Sequence, residues 1–196
     1  MPGLKSNRPR DRDAGIRLIK MNLLKHFSFV LLLAWLQPCM AEGVSDSQIK
    51  SAYVFNFIKF VEWPAGAIGT DGKITLCIAG SGVLDGALLP LDGRKTGNRQ
   101  LRVVQHSNAD ENLSACHVIF IGESEQRRFV ALIKALGDTP ALTISDIENF
   151  AEKGGGIGLL YQDSKVAFEV NLTSTQRSKL RLPGQLLNLA SYVFGR

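Results

Sequence analysis

The chain has 196 residues, of which 45% are hydrophobic, and a formal net charge of +5 at pH 7. The positive excess lies in residues 1–41, which contain seven Lys or Arg and two Asp or Glu and so leave 16 residues of each sign in 42–196. Because residues 42–196 are neutral overall, they give no electrostatic reason to expect a nucleic-acid partner. Their length, about 155 residues, is sufficient for one domain with its own core.

An export signal is predicted near the N-terminus. Lys25 precedes an apolar run over residues 27–36, and Cys39 and Ala41 are the small residues of a cleavage site. The sequence therefore predicts that the chain up to Ala41 is an N-terminal extension and a cleaved signal peptide. Residues 42–196 are then expected to form a single domain that works outside the cytoplasm.

Two alternatives remain open for this leader. Met21 begins a complete signal by itself, so it is a second candidate for the start of translation. Lipidation at Cys39 would anchor the protein, but Pro38 stands where lipidation needs a small residue. The apolar run of about ten residues is shorter than the roughly 20 that a spanning helix needs, so we expect no direct membrane insertion.

The first predicted element of the domain is a helix that is capped by Asp46 or Ser47 and ends near Val61. Its apolar residues recur at helical spacing and form one stripe: Ile49, Ala52, Tyr53, Phe57, Phe60 and Val61. Phe55 and Ile58 lie off this stripe. The helix is therefore either buried on two sides or presents an apolar surface to a partner.

Short β-rich and helical segments then alternate along the chain. Strands are predicted over 73–79, 101–106, 116–121 and 141–144, and helices over 83–90, 125–136 and 146–153. The last of these helices has a start signal, since Ser145 and Glu148 have the spacing of a capping box. Alternation of this kind requires crossover connections, so we expect an α/β fold, a three-layer sandwich with a largely parallel sheet flanked by helices.

The C-terminal part is predicted to contain two more strands and two more helices: 156–161, 165–170, 173–180 and 183–193. Only a short turn separates the two strands, so they are expected to form an antiparallel hairpin at one edge of the sheet. Pro183 suits the first turn of the last helix.

Residues 42–196 contain few groups typical of an enzyme. Their two histidines are His106 and His117. Because side chains alternate across a strand, Cys116 and His117 point to opposite faces and cannot share a metal ion. No other cluster of Cys and His is evident, and the Gly-x-Ser-x-Gly nucleophile motif is absent from the sequence. We therefore predict a protein without catalytic residues, without a metal site and without a cofactor.

The nearest feature to a phosphate-binding loop is the segment Gly80–Gly86. It follows a strand and opens a helix, whose N-terminus could hold a small anion at Gly80, Ser81 and Gly82. It has one residue too many for the dinucleotide fingerprint, and an ordinary strand-to-helix turn explains the same residues. One candidate function is therefore that of a periplasmic sensor protein that binds a small molecule or anion.

Two features are candidates for binding a protein partner. Core packing is one explanation of the aromatic segment that ends in Trp63. The other hypothesis places Phe55, Ile58 or Trp63 in an exposed apolar patch used for association. Glu169 is a candidate for a second recognition edge. Asn171, close to it, is expected to cap the next helix instead.

Cys77 and Cys116 are the two cysteines of residues 42–196. An even pair in an exported protein is first interpreted as a disulfide, and neighbouring strands would bring the two residues within bridging distance. A closed loop of about 39 residues would contribute roughly 4 kcal/mol to stability. Two buried free thiols are the alternative.

Several segments together resemble the YfiR family of periplasmic regulators. They are Ser51–Pro64, Leu76–Gly80, Cys116–Gly122, Leu142–Asp146, Phe150 with Gly154 and Gly155, Phe168–Leu172, and Leu186–Ala190. Their order and spacing make the resemblance specific, and it extends over essentially all of residues 42–196. The sequence departs from the family pattern at Leu182–Gly184, where a more polar, Ser-containing lead into the last helix is expected.

The resemblance implies a function through protein binding. A YfiR-like protein is expected in the periplasm, where it restrains an inner-membrane diguanylate cyclase by binding the periplasmic sensor part of the cyclase. This restraint would lower cyclic di-GMP and biofilm formation, and an OmpA-like outer-membrane lipoprotein would relieve it by sequestering the regulator. The resemblance also implies a homodimer and a disulfide between Cys77 and Cys116.

Overall fold

The computed structural model describes residues 44–107, 112–163 and 165–196. The predicted extension and signal peptide over residues 1–41 lie outside this part of the chain. Residues Val44–Arg196 group into one compact unit. None of the described helices is both long and apolar enough to cross a membrane.

The strands of the described residues form one sheet. In chain order they are β1 (Lys73–Ala79), β2 (Lys95–Thr96), β3 (Arg99–His106), β4 (Val118–Ile121), β5 (Leu142–Ser145), β6 (Ile157–Gln162), β7 (Lys165–Asn171) and β8 (Tyr192–Phe194). Their order across the sheet is β2-β3-β1-β4-β5-β6-β7-β8. The five strands from β3 to β6 in this order are parallel, whereas β6 and β7 form an antiparallel hairpin. This arrangement confirms the predicted α/β fold with a largely parallel sheet.

Helices cover both faces of this sheet. They are α1 (Asp46–Phe60), α2 (Asp85–Leu88), α3 (Phe129–Leu136), α4 (Leu172–Arg177) and α5 (Gly184–Leu187), with 3-10 turns at Leu89–Leu91 and Glu123–Glu125. Because successive side chains of a strand point to opposite faces, β1 contributes to two cores. Leu76 and Ile78 belong to the first core, on the side of α1. Cys77 and Ala79 belong to the second core, on the side of α3.

Helix α1 begins with a capping box one residue earlier than predicted. The Ser45 hydroxyl accepts a hydrogen bond from the backbone N–H of Gln48 at 3.3 Å, and the Gln48 side chain accepts one from the Ser45 N–H at 3.1 Å. These two bonds satisfy N–H groups that a helix N-terminus leaves unpaired. The prediction that Asp46 or Ser47 caps the helix is therefore wrong, and Asp46 is the first helical residue.

The helix predicted over 146–153 is absent, and that segment is a series of turns. The Ser145 hydroxyl donates to the Ile121 carbonyl at 2.6 Å and accepts from the Ile147 N–H at 3.0 Å, so it joins β5 to β4 instead of closing a box with Glu148. Asn149 has a φ of 58°, which no right-handed helix contains. Tertiary hydrogen bonding has overridden the local capping signal here.

The helix predicted over 183–193 is also wrong in its second half. Helix α5 ends at Leu187, and strand β8 follows and pairs in parallel with β7. The Ser191 N–H donates to the Phe168 carbonyl at 2.8 Å at the start of this pairing. Strand β8 thus covers the edge that the β6–β7 hairpin would otherwise expose.

Candidate functional site

A cleft of about 350 Å³ lies at the carboxyl end of β5. The turn over 147–150 forms one wall, and strands β6 and β7 supply the floor with Gly158, Leu160 and Glu169. The sheet register places Gly158 beside Glu169. The carboxyl ends of parallel strands are the common location of ligand sites in open α/β sheets, so this cleft is the candidate functional site.

Glu169 lies on the sheet face opposite α1. Its neighbours Phe168 and Val170 point into the first core, and alternation along β7 therefore turns Glu169 to the other face. Glycine at position 158 lets the adjoining turn approach closely, since a Cβ there would lie 3.3 Å from the backbone nitrogen of Ala151. The floor of the cleft is therefore regular backbone with one partly exposed carboxylate on it.

Carboxylates set the electrostatics of the cleft. Burial raises the pKa of Glu169 above its usual value, and the neighbouring Glu152 raises it further. Asp146 is held by Lys50 of α1, whose Nζ donates to the carboxylate at 2.8 Å. Glu148 lines the same cleft and is exposed. This surface therefore suits a group that donates hydrogen bonds or carries positive charge.

An aromatic side chain stands at the rim of the cleft. Tyr161, near the end of β6, is 56% exposed and lines the cavity together with Leu159 and Leu160. Exposed tyrosines that combine apolar area with a polar tip are enriched at binding surfaces. The cleft thus combines an exposed aromatic residue at its rim with the Glu169 carboxylate on its floor.

The apolar patch predicted for association is not present at Phe55 and Ile58. Phe55 is 8% exposed and Ile58 is 1% exposed, because α1 packs on two sides. One side contacts the sheet through Phe57 and Phe168, whose ring centroids are 4.9 Å apart. The other side contacts α2, where the Ser51 hydroxyl donates to the Ala87 carbonyl at 2.6 Å. Of the two alternatives for this helix, the structure has burial on two sides.

Of the two aromatic residues near the end of α1, Trp63 packs against the first core, as core packing of this segment predicts, whereas Phe60 does not. Trp63 is half-buried, and its Nε1 donates to the His117 carbonyl at 3.3 Å, so it ties the end of α1 to the start of β4. Phe60, which the helical stripe places in the core, is 46% exposed. The Arg94 guanidinium covers the Phe55 ring, at 4.0 Å from the ring centroid, and this contact explains why Phe55 is not exposed.

The loop predicted to bind an anion has its backbone donors occupied. The N–H groups of Gly80, Ser81 and Gly82 donate to the His106 carbonyl, the Ser124 hydroxyl and the Asp85 carboxylate, respectively. Asp85 is nearly buried, and burial raises its pKa, as does the charge of Asp146. An anion in this loop would compete with a carboxylate for the same N–H groups. The geometry therefore does not favour the predicted anion site.

The structure joins Cys77 and Cys116 in a disulfide with a Cα–Cα distance of 5.8 Å, in agreement with the predicted pairing. The bond links β1 to the residues just before β4. His106 lies close to it, and the sulfur atoms of Cys77 and Cys116 and a ring nitrogen of His106 are within 4.8 Å of one another. The expectation of no Cys and His cluster beyond Cys116 and His117 is therefore wrong. Only the β1–β3 register, which sequence spacing does not reveal, brings His106 to this position.

A model of a known protein family matches most of the described domain. The model of the YfiR/HmsC-like family matches residues 47–191. The chain belongs to the YfiR/HmsC-like family. All residues that line the cleft, from Asp146 to Glu169, lie inside the matched segment of this YfiR/HmsC-like chain.

Two solved structures have partial similarity to this YfiR/HmsC-like protein. A conserved domain protein from Vibrio cholerae is 11% identical with a TM-score of 0.49, and the match covers 76% of this chain and 60% of that one. The ABC domain from Streptococcus pneumoniae in complex with L-Trp is 9% identical with a TM-score of 0.49, and the match covers 76% of this chain and 62% of that one. The chain thus spans under two thirds of the length of both.

A histidine connects the loop after Trp63 to the sheet of the YfiR/HmsC-like fold. The Thr75 N–H donates to Nδ1 of His117 at 2.9 Å, and Nε2 lies 3.1 Å from the Ala67 carbonyl, to which it donates. A nitrogen that accepts a hydrogen bond cannot carry a proton, so His117 is neutral in this arrangement. Burial lowers the pKa of His117 accordingly.

Acidification should therefore destabilise the protein through His117. The unfolded chain binds a proton at higher pH than the folded chain does, so the free energy of unfolding should fall as the pH drops below about 6.5. Urea unfolding of the wild type and of His117→Asn, which keeps a side-chain acceptor, between about pH 7.5 and pH 5 would measure this. Subtracting the two curves removes groups such as Glu169. An identical pH dependence in both proteins would contradict the assignment.

Proposed function

We propose that this protein is a periplasmic regulator that restrains an inner-membrane diguanylate cyclase by binding the periplasmic sensor part of the cyclase. Restraint of the cyclase lowers cyclic di-GMP and biofilm formation. An OmpA-like outer-membrane lipoprotein competes for the regulator and thereby releases the cyclase. Membership of the YfiR/HmsC-like family over residues 47–191 carries this proposal. The predicted export signal and the disulfide between Cys77 and Cys116 are consistent with it.

The proposed mechanism needs binding alone and no chemical step. A regulator shifts a two-state sensor only by the difference between its affinities for the two states. Moving an equilibrium from 1:99 to 99:1 requires a difference of about 10⁴-fold. The regulator must therefore recognise a surface that the sensor presents in its inactive state, and it acts as a homodimer in this proposal.

The cleft around Glu169 is our candidate for the surface that binds the partner. It is concave, it has an exposed aromatic residue at its rim, and its carboxylates accept hydrogen bonds from a basic or amide-bearing segment. The ion pair between Lys50 and Asp146 holds one side of the cleft against α1. We therefore expect the cleft to have its shape before the partner binds. Partner affinity would then depend on the charge of Glu169.

Deletion of the coding region should raise cellular cyclic di-GMP in a strain that keeps the cyclase, and the wild-type gene should restore the low level. Glu169→Gln should restore it poorly, with a loss of affinity for the cyclase's periplasmic part on the order of tenfold, because Gln can still accept a hydrogen bond but lacks the negative charge that strengthens it. Glu123→Gln, an exposed carboxylate outside the cleft, is the matched control and should behave as wild type. Cyclic di-GMP would be quantified in extracts and affinity by calorimetric titration.

The two parts of the proposal fail in different ways. Unchanged cyclic di-GMP after deletion would remove the regulatory function. A rise after deletion that Glu169→Gln reverses as fully as the wild type would leave the function standing and exclude the cleft as the partner site. Thermal unfolding of the variant, compared with that of Glu123→Gln, separates lost binding from lost folding.

A further inference from the structure

The disulfide region holds a set of metal-ligating side chains that the proposed function does not use. Donor atoms of Cys77, His106 and Cys116 lie within 4.8 Å of one another. Both cysteines are in the second core, whereas His106 is partly exposed and gives the group contact with solvent. Two sulfurs and an imidazole nitrogen are one of the donor sets found in three-ligand zinc sites, and thiolates also suit Cu⁺.

The backbone of the sheet fixes the positions of these three residues. The register of β1 and β3 pairs Cys77 with Val104 and Ala79 with His106. Val104 packs against the second core, so His106, two residues further along the same strand, points to the same face as Cys77. Cys116 stands two residues before β4, which pairs with β1 on its other side. Three separate segments therefore deliver the three donors to one place.

We propose that these residues form a metal site in the reduced protein: once the disulfide is opened, the thiolates of Cys77 and Cys116 and the imidazole of His106 bind one Zn²⁺ ion. The disulfide and the metal-bound form exclude each other, because the same two sulfurs serve both. The metal would replace one cross-link between β1 and the residues before β4 by another. This inference is independent of the proposed regulatory function.

The chemistry of the exchange balances in two steps. A dithiol reductant transfers two electrons and two protons to the disulfide, the S–S bond breaks, two S–H groups form, and the reductant becomes a disulfide. Zn²⁺ then binds the two sulfurs, whose two protons are released to water. A ring nitrogen of His106 donates its lone pair to the ion, and a water molecule can take the fourth tetrahedral position.

The test uses the exported protein in its purified form. One sample stays oxidised, and the other is reduced and freed of reductant without oxygen. Zn²⁺ is then added to each protein sample in the presence of a chromophoric chelator, which competes with the protein for the ion. Co²⁺ is added to equivalent samples to record its thiolate charge-transfer and ligand-field bands. We expect one Zn²⁺ per reduced chain, none for the oxidised chain, and Co²⁺ bands typical of a tetrahedral site with two sulfurs.

Three variants make the result specific. His106→Ala should weaken Zn²⁺ binding to the reduced chain by at least about tenfold and alter the Co²⁺ spectrum, because a direct ligand is lost. His117→Asn changes the other histidine of the domain and should bind as the wild type does. The double variant Cys77→Ala with Cys116→Ala should not bind. Circular dichroism with and without Zn²⁺ shows whether each reduced sample is folded.

The proposal has three ways to fail. It is overturned if the folded reduced chain does not bind Zn²⁺, or if His106→Ala binds with the wild-type affinity and Co²⁺ spectrum. A reduced chain that is unfolded and remains so after addition of Zn²⁺ also overturns it. Refolding driven by Zn²⁺ in the wild type and not in His106→Ala supports it.

Discussion

Loss of the disulfide should lower the free energy of unfolding by about 4 kcal/mol. The bond closes a loop with a sequence separation of 39 residues between Cys77 and Cys116, and in the chain-entropy model this closure removes conformations mainly from the unfolded state. A domain of this size is stabilised by only about 5–15 kcal/mol in total. The double variant Cys77→Ala with Cys116→Ala is therefore expected to lose roughly 10 °C in Tm.

Calorimetry of the wild type and of the double variant would measure this loss, with a metal chelator present so that no ion replaces the cross-link. The wild type under reducing conditions is the matched control, and its Tm should be close to that of the double variant. The variant itself should be insensitive to reductant. A double variant as stable as the oxidised wild type would show that the bond contributes nothing to stability.

Two phenylalanines on α1 should differ sharply in their effect on stability. Phe57 is 1% exposed and packs on Phe168 at a ring-centroid distance of 4.9 Å, so Phe57→Ala should lower the free energy of unfolding by about 3–5 kcal/mol through lost burial and the cavity that remains. Phe60 is 46% exposed. The matched variant Phe60→Ala should therefore cost less than about 1 kcal/mol.

Urea unfolding of both variants would measure the two changes from the midpoints and slopes. Sequence periodicity assigns the same core role to both residues, whereas the structure assigns it only to Phe57. Equal losses for the two variants would mean that α1 packs in a different rotation about its axis. A large loss for Phe60→Ala alone would show the same.

Local sequence patterns located much of the sheet and its first helix. Strand β1 has the predicted bounds, and α1 and the β6–β7 hairpin lie within one or two residues of theirs. These elements depend on signals within their own segments, such as buried β-rich runs and helical periodicity. The Asn171 cap was also correctly predicted, since its side chain accepts from the Ser174 N–H at 2.8 Å.

Predictions were wrong where residues far away in the sequence form hydrogen bonds with the segment that carries the local signal. Ser145 has the spacing of a helix cap, but its hydroxyl bonds to Ile121 across the sheet. The segment after α5 reads as a helix, but β7 offers it an unpaired edge. In both places the competing hydrogen bonds come from residues more than 20 positions away in the sequence, so no window around the segment contains them.

The candidate sites show the same division. The sequence singled out Glu169 and the cysteine pair, but it did not indicate that the turn after β5 makes a cleft beside Glu169 or that His106 joins the cysteines. The exposure of Phe55 and Ile58 was likewise undecidable from α1 alone, because what covers Phe55 is Arg94, a residue beyond α2. Each of these contacts joins segments that are far apart in the chain.

By itself, the sequence determined the family, the alternation of strands and helices, the neutral charge of residues 42–196 and the pair of cysteines available for a cross-link, since these are properties of composition and local order. The tertiary structure alone decided which face of α1 is buried, which groups accept hydrogen bonds from the backbone N–H groups of Gly80–Gly82, and which side chains meet around the disulfide. Those outcomes depend on strand register and on packing between elements, and both are set by contacts that local periodicity does not encode.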